Sequence, residues 1–174
     1  MDSIYVDKVL IDTLSDVAEF AFRIKVNNSS NKIINLYTGT GLSTIDTNSG
    51  FFIYCKKIKT YYPLMLPYEN ALAVIPANTS DYKIFAVIGF GSSSVLHDIL
   101  DTSEILKIKA YHTTKSRAEN MRNFLSDIEI VYRVDKSKMD NNEGSLKVPI
   151  RNNVIINYFR KDKTLNDVQQ TLED

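Results

Sequence analysis

The chain has 174 residues, and its 21 lysine and arginine residues balance 21 aspartate and glutamate residues, so its formal net charge is zero. A hydrophobic content of 44% and a charged content of 24% are typical of a globular protein and exclude wholesale disorder. No apolar run approaches the roughly 18 residues that a membrane-spanning helix needs. The lack of a basic excess argues against a dedicated nucleic-acid-binding protein.

The first predicted element is a β-strand over residues 16–26, in which apolar residues alternate with Arg23 and Lys25. A period of two is typical of a half-buried strand. Turn-forming residues occupy 27–31, and 32–37 return as a second strand, which predicts a β-hairpin with a five-residue connection. The apolar face of the first strand consists of Phe20, Phe22, Ile24 and Val26.

The middle of the chain predicts three further strands. Residues 51–62 read as one long aromatic strand that ends at Pro63, because proline cannot continue a central ladder. After an irregular crossing over 64–70, residues 71–75 form a short strand. Residues 81–90 are the most apolar stretch, which predicts a central strand covered on both faces.

The next segment mixes strands with one helix. Residues 105–111 alternate as a strand, and a Ser-x-x-Glu capping box at Ser116 predicts a short helix that ends near Leu125. Residues 128–134 alternate again. The polar stretch 135–145 predicts a hairpin turn or a flexible loop.

About seven short strands with few helices predict a mainly β fold, an antiparallel two-sheet β-sandwich of immunoglobulin-like type with one or two short helices. Residues 22–33 (Phe-x-Ile-x-Val-Asn-Asn-Ser-Ser-Asn-Lys-Ile) and 75–80 (Ile-Pro-Ala-Asn-Thr-Ser) resemble bacterial immunoglobulin-like and LEA-like sandwich domains. The resemblance covers less than half of the chain, and it implies a fold without any catalytic residue. We expect a sandwich domain over 1–148 and a C-terminal docking extension, a strand plus a short helix, over 149–174.

The candidate catalytic features are weak. A Gly-x-Gly turn at 89–94 has the form of a phosphate-binding loop, but Ser94 replaces the third glycine and the following apolar stretch is too short for a parallel crossover. Cys55 lies within a predicted strand, where cysteine is usually a small core residue. His97 and His112 lack the clustered partners of a zinc site. We therefore expect no catalytic residue, metal or cofactor, with a nucleotide-binding enzyme as the remaining enzymatic alternative.

A basic aromatic stretch lies at 56–62, with three lysines and two tyrosines. Such residues can stack on bases and follow phosphates, but lysines also protect exposed strand edges against aggregation. Because the whole chain is neutral, nucleic acid is not the expected partner.

The C-terminal segment gives the best functional indication. Residues 154–159 form an extended apolar run, and Thr164 with Asp167 caps a predicted helix with apolar residues at i, i+3 and i+7. A helix of about ten residues is marginal in water unless its apolar stripe is docked. The segment therefore packs on its own domain, or docks in a groove or as an added strand on another subunit. The predicted partner-binding residues are Ile155, Tyr158, Phe159, Leu165, Val168 and Leu172.

The expected function is a non-enzymatic structural or adaptor subunit of a larger protein assembly, whose partners are other protein subunits rather than membranes. The alternative is a bacterial immunoglobulin-like module that binds a ligand or a cell surface. The 19 isoleucines, 15 asparagines and 15 lysines are typical of an AT-rich bacterial, phage or viral genome and favour a phage virion. The start of the sequence lacks a signal-peptide pattern, and one cysteine forms no internal disulfide, so we expect the virion or the cytoplasm of the producing cell.

Overall fold

The computed structural model describes residues 3–12, 20–39, 49–66, 72–88, 122–123, 125–135 and 144–159. These residues are mainly β-structure, with a short helical stretch at 122–123 and 125–127. The strands are β1 (Ser3–Asp12), β2 (Phe20–Asn28), β3 (Ile34–Tyr37), β4 (Gly50–Cys55), β5 (Thr60–Pro63), β6 (Leu72–Ile75), β7 (Thr79–Ile88), β8 (Ile128–Val134), β9 (Gly144–Val148) and β10 (Ile150–Phe159). The mainly β fold predicted from the sequence is thereby confirmed.

The described strands form three open sheets with the orders β10-β1-β2-β7, β3-β6 and β5-β4-β8-β9. All of these pairings are antiparallel except β1 with β10, which is parallel. The prediction of purely antiparallel sheets is therefore wrong at this pair. It is the pair that joins the first and last strands along the chain, which no hairpin connection can link.

All three sheets contribute to one buried hydrophobic cluster. The predicted face of β2 is confirmed, since Phe22, Ile24 and Val26 are all buried in it. Alternate residues of β4 and β8 enter the same cluster from the other four-stranded sheet, and Leu36 and Ile75 enter it from β3 and β6. A period of two thus places one face of every sheet against the shared core.

The sequence did not predict β1, because a β-bulge interrupts its alternation. Val6 pairs with Ile24 and Lys8 pairs with Arg23, so Asp7 is an extra residue opposite β2. A bulge shifts the side chains beyond it by one position. Val6 and Val9 therefore both reach the core although three positions separate them.

The predicted hairpin between residues 16–26 and 32–37 is wrong. β2 pairs with β1 on one side and β7 on the other, which leaves no edge for β3, and β3 pairs with β6 instead. Polar turn residues indicate that the chain changes direction, but they do not specify which strand pairs with the next one.

The predicted long strand over 51–62 is two strands joined by a turn. Phe52 pairs with Pro63 and Cys55 with Thr60, so β4 and β5 form a hairpin. The turn residue Lys59 has a φ of 54°, a left-handed conformation that favours glycine. A lysine at this position gave no turn signal in the sequence.

The apolar stretch at 81–90 corresponds to β7. Ile84, Phe85 and Ala86 are all buried, which confirms coverage of both faces. Among the described strands, however, β7 lies at the end of its sheet rather than at its centre. The strand at 128–134 is confirmed as β8, and the strand predicted at 105–111 lies outside the described residues.

Close backbone contact fixes the passage from β3 to β4. Gly50 has a φ of 116°, and a Cβ atom placed on it would lie 2.6 Å from the carbonyl oxygen of Thr38. Gly39, with a φ of 82°, faces the backbone of Ser49 in the same way. Both positions need glycine for its conformation and for its lack of a side chain.

The chain passes between the two four-stranded sheets at Pro149. Val148 ends β9 opposite Ile130 of β8, and the carbonyl oxygen of Pro149 accepts a 2.9 Å hydrogen bond from the amide of Val6. The first strand of the predicted C-terminal extension, β10, then pairs with β1 of the same chain.

Candidate interaction surfaces

The described part of the chain contains few of the residues considered for catalysis. Cys55 is a free thiol in β4 and is buried in the core. The Gly-x-Gly turn at 89–94, His97 and His112 lie outside the described residues. Where the chain is described, no group of three or more His, Cys, Asp or Glu side chains could hold a metal ion.

Within the described residues, no helix has both the length and the apolar character needed to cross a bilayer.

The predicted partner-binding residues fall into two groups. Ile155 lies in β10 and is 52% exposed. Tyr158 and Phe159 are also in β10, where their backbones lie opposite Ile11 and Asp12 of β1. The remaining three, Leu165, Val168 and Leu172, lie outside the described residues. The structure therefore brings three of the six together on one strand, and their role as contacts stays a prediction.

Among the described residues, exposed apolar side chains cluster on the outer side of β3 and β6, two paired strands that are not consecutive in sequence. We call this surface the hairpin face. Ile33, Leu72 and Val74 are 64%, 45% and 49% exposed. In the register of this sheet, Leu72 lies opposite Tyr37 and Val74 opposite Asn35, so these side chains share the outer side. Large exposed apolar groups that cluster mark interaction sites more often than single ones do.

The inner side of the same two strands anchors the hairpin face to the core. Leu36 and Ile75 are buried in the hydrophobic cluster, and Ile34 and Ala73 pack against it. β6 is thus apolar on both sides, although only one side has a core to cover it. An exposed strand normally has a polar outer side, so the sequence signal for this surface was the doubled apolar pattern Ile33-Ile34 with Leu72-x-Val74. The sequence prediction missed it.

The side chain of Asn28 fixes the hairpin face to the end of β2. Its Nδ2 donates 2.9 Å hydrogen bonds to the carbonyl oxygens of Lys32 and Pro76, and its Oδ1 accepts from the amide and hydroxyl of Ser30. Asn28 has no exposed surface. One buried amide thus holds the turn before β3 against the end of β6.

A second cluster, which we call the aromatic face, lies on the outer side of β5, β4 and β8, where Tyr61 is exposed and Phe52 is buried. The ring of Tyr61 lies 4.7 Å from that of Tyr54 and 6.5 Å from that of Phe52 between centroids. The guanidinium of Arg133 lies 4.9 Å from the Tyr61 centroid and 5.6 Å from that of Phe52. Cation–π contact and aromatic packing therefore join three strands.

The structure divides the basic aromatic stretch at 56–62 between different environments. Lys56, Lys57 and Lys59 are exposed in the turn between β4 and β5. Tyr61 belongs to the aromatic face, whereas Tyr62 packs against the core on the opposite side of β5. A continuous base-stacking surface along these residues is therefore not formed, since the two tyrosines point to opposite sides of one strand.

A charged network crosses the outer side of the sheet β10-β1-β2-β7. The carboxylate of Asp7 accepts two 2.9 Å hydrogen bonds from Arg23. Lys25 lies 3.4 Å from Asp7 and 3.2 Å from Asp81, which also accepts a hydrogen bond from the Tyr5 hydroxyl. The network joins β1, β2 and β7 and includes the bulged Asp7, so it stabilises the irregular part of the sheet.

The environment of Asp7 changes its acidity. Burial alone would raise its pKa, but the hydrogen bonds and positive charges of Arg23 and Lys25 together lower the pKa below the ordinary value. The hydrogen bond and charge of Lys25 lower the pKa of Asp81 as well. Both carboxylates are therefore ionised at neutral pH and serve as structural anions rather than as proton donors.

Comparisons of the chain with protein-family models, with curated proteins and with solved structures find no match.

Proposed function

We propose that the protein is a non-enzymatic structural or adaptor subunit of a larger protein assembly, and that its two four-stranded sheets form an immunoglobulin-like β-sandwich. The sandwich is supported by the single hydrophobic cluster to which both sheets contribute. Two sheets that cover the same core with one face each are the usual arrangement of such folds.

The observation that carries the functional proposal is the hairpin face. Ile33, Leu72 and Val74 stand exposed on two strands whose inner sides are buried. Burial of apolar surface contributes roughly 25 cal/mol per Å², so a partner that covers these side chains gains binding energy. Because Asn28 holds β3 and β6 in place, a partner does not have to order this surface, and the entropic cost of binding is small.

A phage virion is the setting that we propose for the assembly. The support is compositional, since isoleucine, asparagine and lysine are the residues that AT-rich genomes encode most readily. A virion subunit also fits a neutral domain that binds proteins rather than nucleic acid.

The proposal is tested by sedimentation of an extract from the producing cell through a density gradient. The wild-type chain is expected in a high-mass fraction, and the double variant Leu72→Lys, Val74→Lys is expected near the top, as a free chain of 19.8 kDa. Ile58→Lys is the matched control, because Ile58 is 41% exposed and lies in the turn between β4 and β5, which belong to a different sheet. Wild-type protein that sediments only as a free chain would contradict the proposal.

The second candidate is an immunoglobulin-like module that binds a ligand or a cell surface. The observation that favours it is the aromatic face, where Tyr61 is 44% exposed beside Arg133 and three turn lysines. On this alternative, Tyr61→Ala removes binding while the hairpin-face variant retains it. The two candidates therefore predict opposite results for the same pair of variants.

A further inference from the structure

We infer that the hairpin face receives residues 164–174 of a second copy of this chain, so that copies associate head to tail. This inference rests on the proposed function and names the occupant of its docking surface.

Asn28, which holds the hairpin face, and the end of β10 lie at opposite ends of the sheet β10-β1-β2-β7. Asn28, which holds the hairpin face, ends β2, and its neighbour Asn27 lies opposite Ser3 at the start of β1. β10 ends at Phe159, opposite Asp12 at the far end of β1. The eight residue steps from Phe20 to Asn28 correspond to about 26 Å along β2.

That separation puts Asn28 beyond the reach of Leu165, the first apolar residue of the predicted helix, in the same chain, because six extended residues from Phe159 span at most about 22 Å. Only residues 160–163 lie between the end of β10 and the predicted cap at Thr164. Four fully extended residues span at most about 14 Å. A second copy has no such restriction, because its own segment approaches the hairpin face from outside.

The chemistry of the predicted helix matches the hairpin face. Its apolar residues at i, i+3 and i+7 form a stripe of the kind that docks on an apolar surface. They are Leu165, Val168 and Leu172, against the exposed Ile33, Leu72 and Val74.

The charges of the two segments are opposite in sign. Residues 164–174 carry Asp167, Glu173 and Asp174 without any lysine or arginine. Residues 29–37 and 72–80 carry Lys32 without any aspartate or glutamate. Complementary charge favours contact between the face of one copy and the tail of another over contact between two identical faces.

A contact between two different surfaces of identical chains is heterologous and extends into a ring or a filament. Purified wild-type protein is therefore expected to increase in mass with concentration, beyond a dimer. The variants Leu72→Lys, Val74→Lys (face variant) and Val168→Lys, Leu172→Lys (tail variant) are each expected to be monomeric. An equimolar mixture of the two is expected to form a dimer, because one intact face remains for one intact tail.

Light scattering after size-exclusion chromatography measures these masses, and circular dichroism melts verify that each variant is folded. Ile58→Lys is the control that retains the wild-type behaviour. A mixture of variants that stays at the monomer mass of 19.8 kDa overturns the inference, and so does a tail variant that still associates by itself. If purified chains stay monomeric while the wild type remains in the high-mass gradient fraction, head-to-tail docking is wrong and the proposed function stands.

A second measurement covers the case in which the face variant fails to fold. A fluorescent synthetic peptide of residues 160–174 is titrated into the tail variant and its polarisation is followed. Saturable binding that unlabelled peptide displaces supports the inference. Absence of binding to a folded tail variant contradicts it.

Discussion

Asn28 shows how one side chain determines the position of a surface. It is buried without exposed area, and its amide group bonds to both the turn before β3 and the residue after β6. Asparagine suits this position because it has two donors and an acceptor on a short side chain. The sequence marked residues 27–31 as a turn, but turn chemistry alone could not reveal a bond across 48 positions of sequence.

Asn28→Ala is expected to destabilise the fold by about 2 to 4 kcal/mol, since it removes four hydrogen bonds of a fully buried side chain, each of which contributes roughly 0.5 to 1.5 kcal/mol. Chemical denaturation at neutral pH measures the loss. The control is Asn31→Ala at an exposed turn position, which is expected to change stability by no more than about 0.5 kcal/mol. Equal effects of the two substitutions would show that Asn28 has no special role.

Asp7→Asn tests the charged network at the bulge. The Asp7 and Arg23 side chains are 14% and 7% exposed. The free energy of unfolding of the variant is therefore expected to fall by about 2 to 3 kcal/mol, which is less than the roughly 3 to 5 kcal/mol for breaking a fully buried pair. Asp81→Asn is the control, at a carboxylate that is 56% exposed, with an expected loss below about 1 kcal/mol.

The acid dependence of the same pair has a defined sign. Because the folded-state pKa of Asp7 lies below 3.8, its ionised form stabilises the fold above that pH, and this contribution is lost as the pH falls through the lowered pKa. The difference in unfolding free energy between wild type and Asp7→Asn is therefore expected to be constant near neutrality and to shrink below about pH 4. If this difference grows in acid, the lowered pKa of Asp7 is contradicted.

At the scale of elements, alternation predicted individual strands better than their partners. β2 and β8 follow from a period of two, and their buried faces agree with it. Pairing depends on which edges remain free, and β3 pairs with β6 because both edges of β2 are already occupied. The bulge in β1 and the turn between β4 and β5 escaped prediction because each breaks a local rule.

Lys59→Gly tests the turn between β4 and β5. Lys59 has a φ of 54°, and a left-handed residue other than glycine costs about 1 to 2 kcal/mol, which outweighs the entropy that glycine loses on folding. The variant is expected to be about 0.5 kcal/mol more stable than wild type by chemical denaturation. Lys57→Gly, in the same turn but without a positive φ, is expected to be less stable. If both substitutions lower the free energy of unfolding, the left-handed conformation of Lys59 is contradicted.

Two truncations test the role of β10. Removal of 160–174 leaves every described strand intact and is expected to preserve the melting transition. Removal of 149–174 deletes β10, whose Ile150, Val154 and Ile156 pack against the core, and is expected to cost at least about 3 kcal/mol or to prevent folding. Circular dichroism melts compare the two chains, and equal stability would show that β10 is dispensable.

At the scale of the whole molecule, charge balance gave an expectation about partner classes but no contact surface. The described ion pairs, such as Lys147 with Glu129 at 3.1 Å, lie on the two four-stranded sheets rather than on the hairpin face. The sequence directed attention to residues 149–174, where Ile155 is indeed exposed. It could not reveal the hairpin face, because exposure there depends on the long-range pairing of β3 with β6.

The central claim is that the hairpin face is the surface covered in the assembly. Hydroxyl-radical footprinting with mass spectrometry measures it directly, on the free chain and on the assembled fraction. We expect Ile33, Leu72 and Val74 to be protected from oxidation in the assembly, while Tyr61 on the aromatic face stays as reactive as in the free chain. Protection of Tyr61 with unchanged oxidation of the hairpin face would contradict the account.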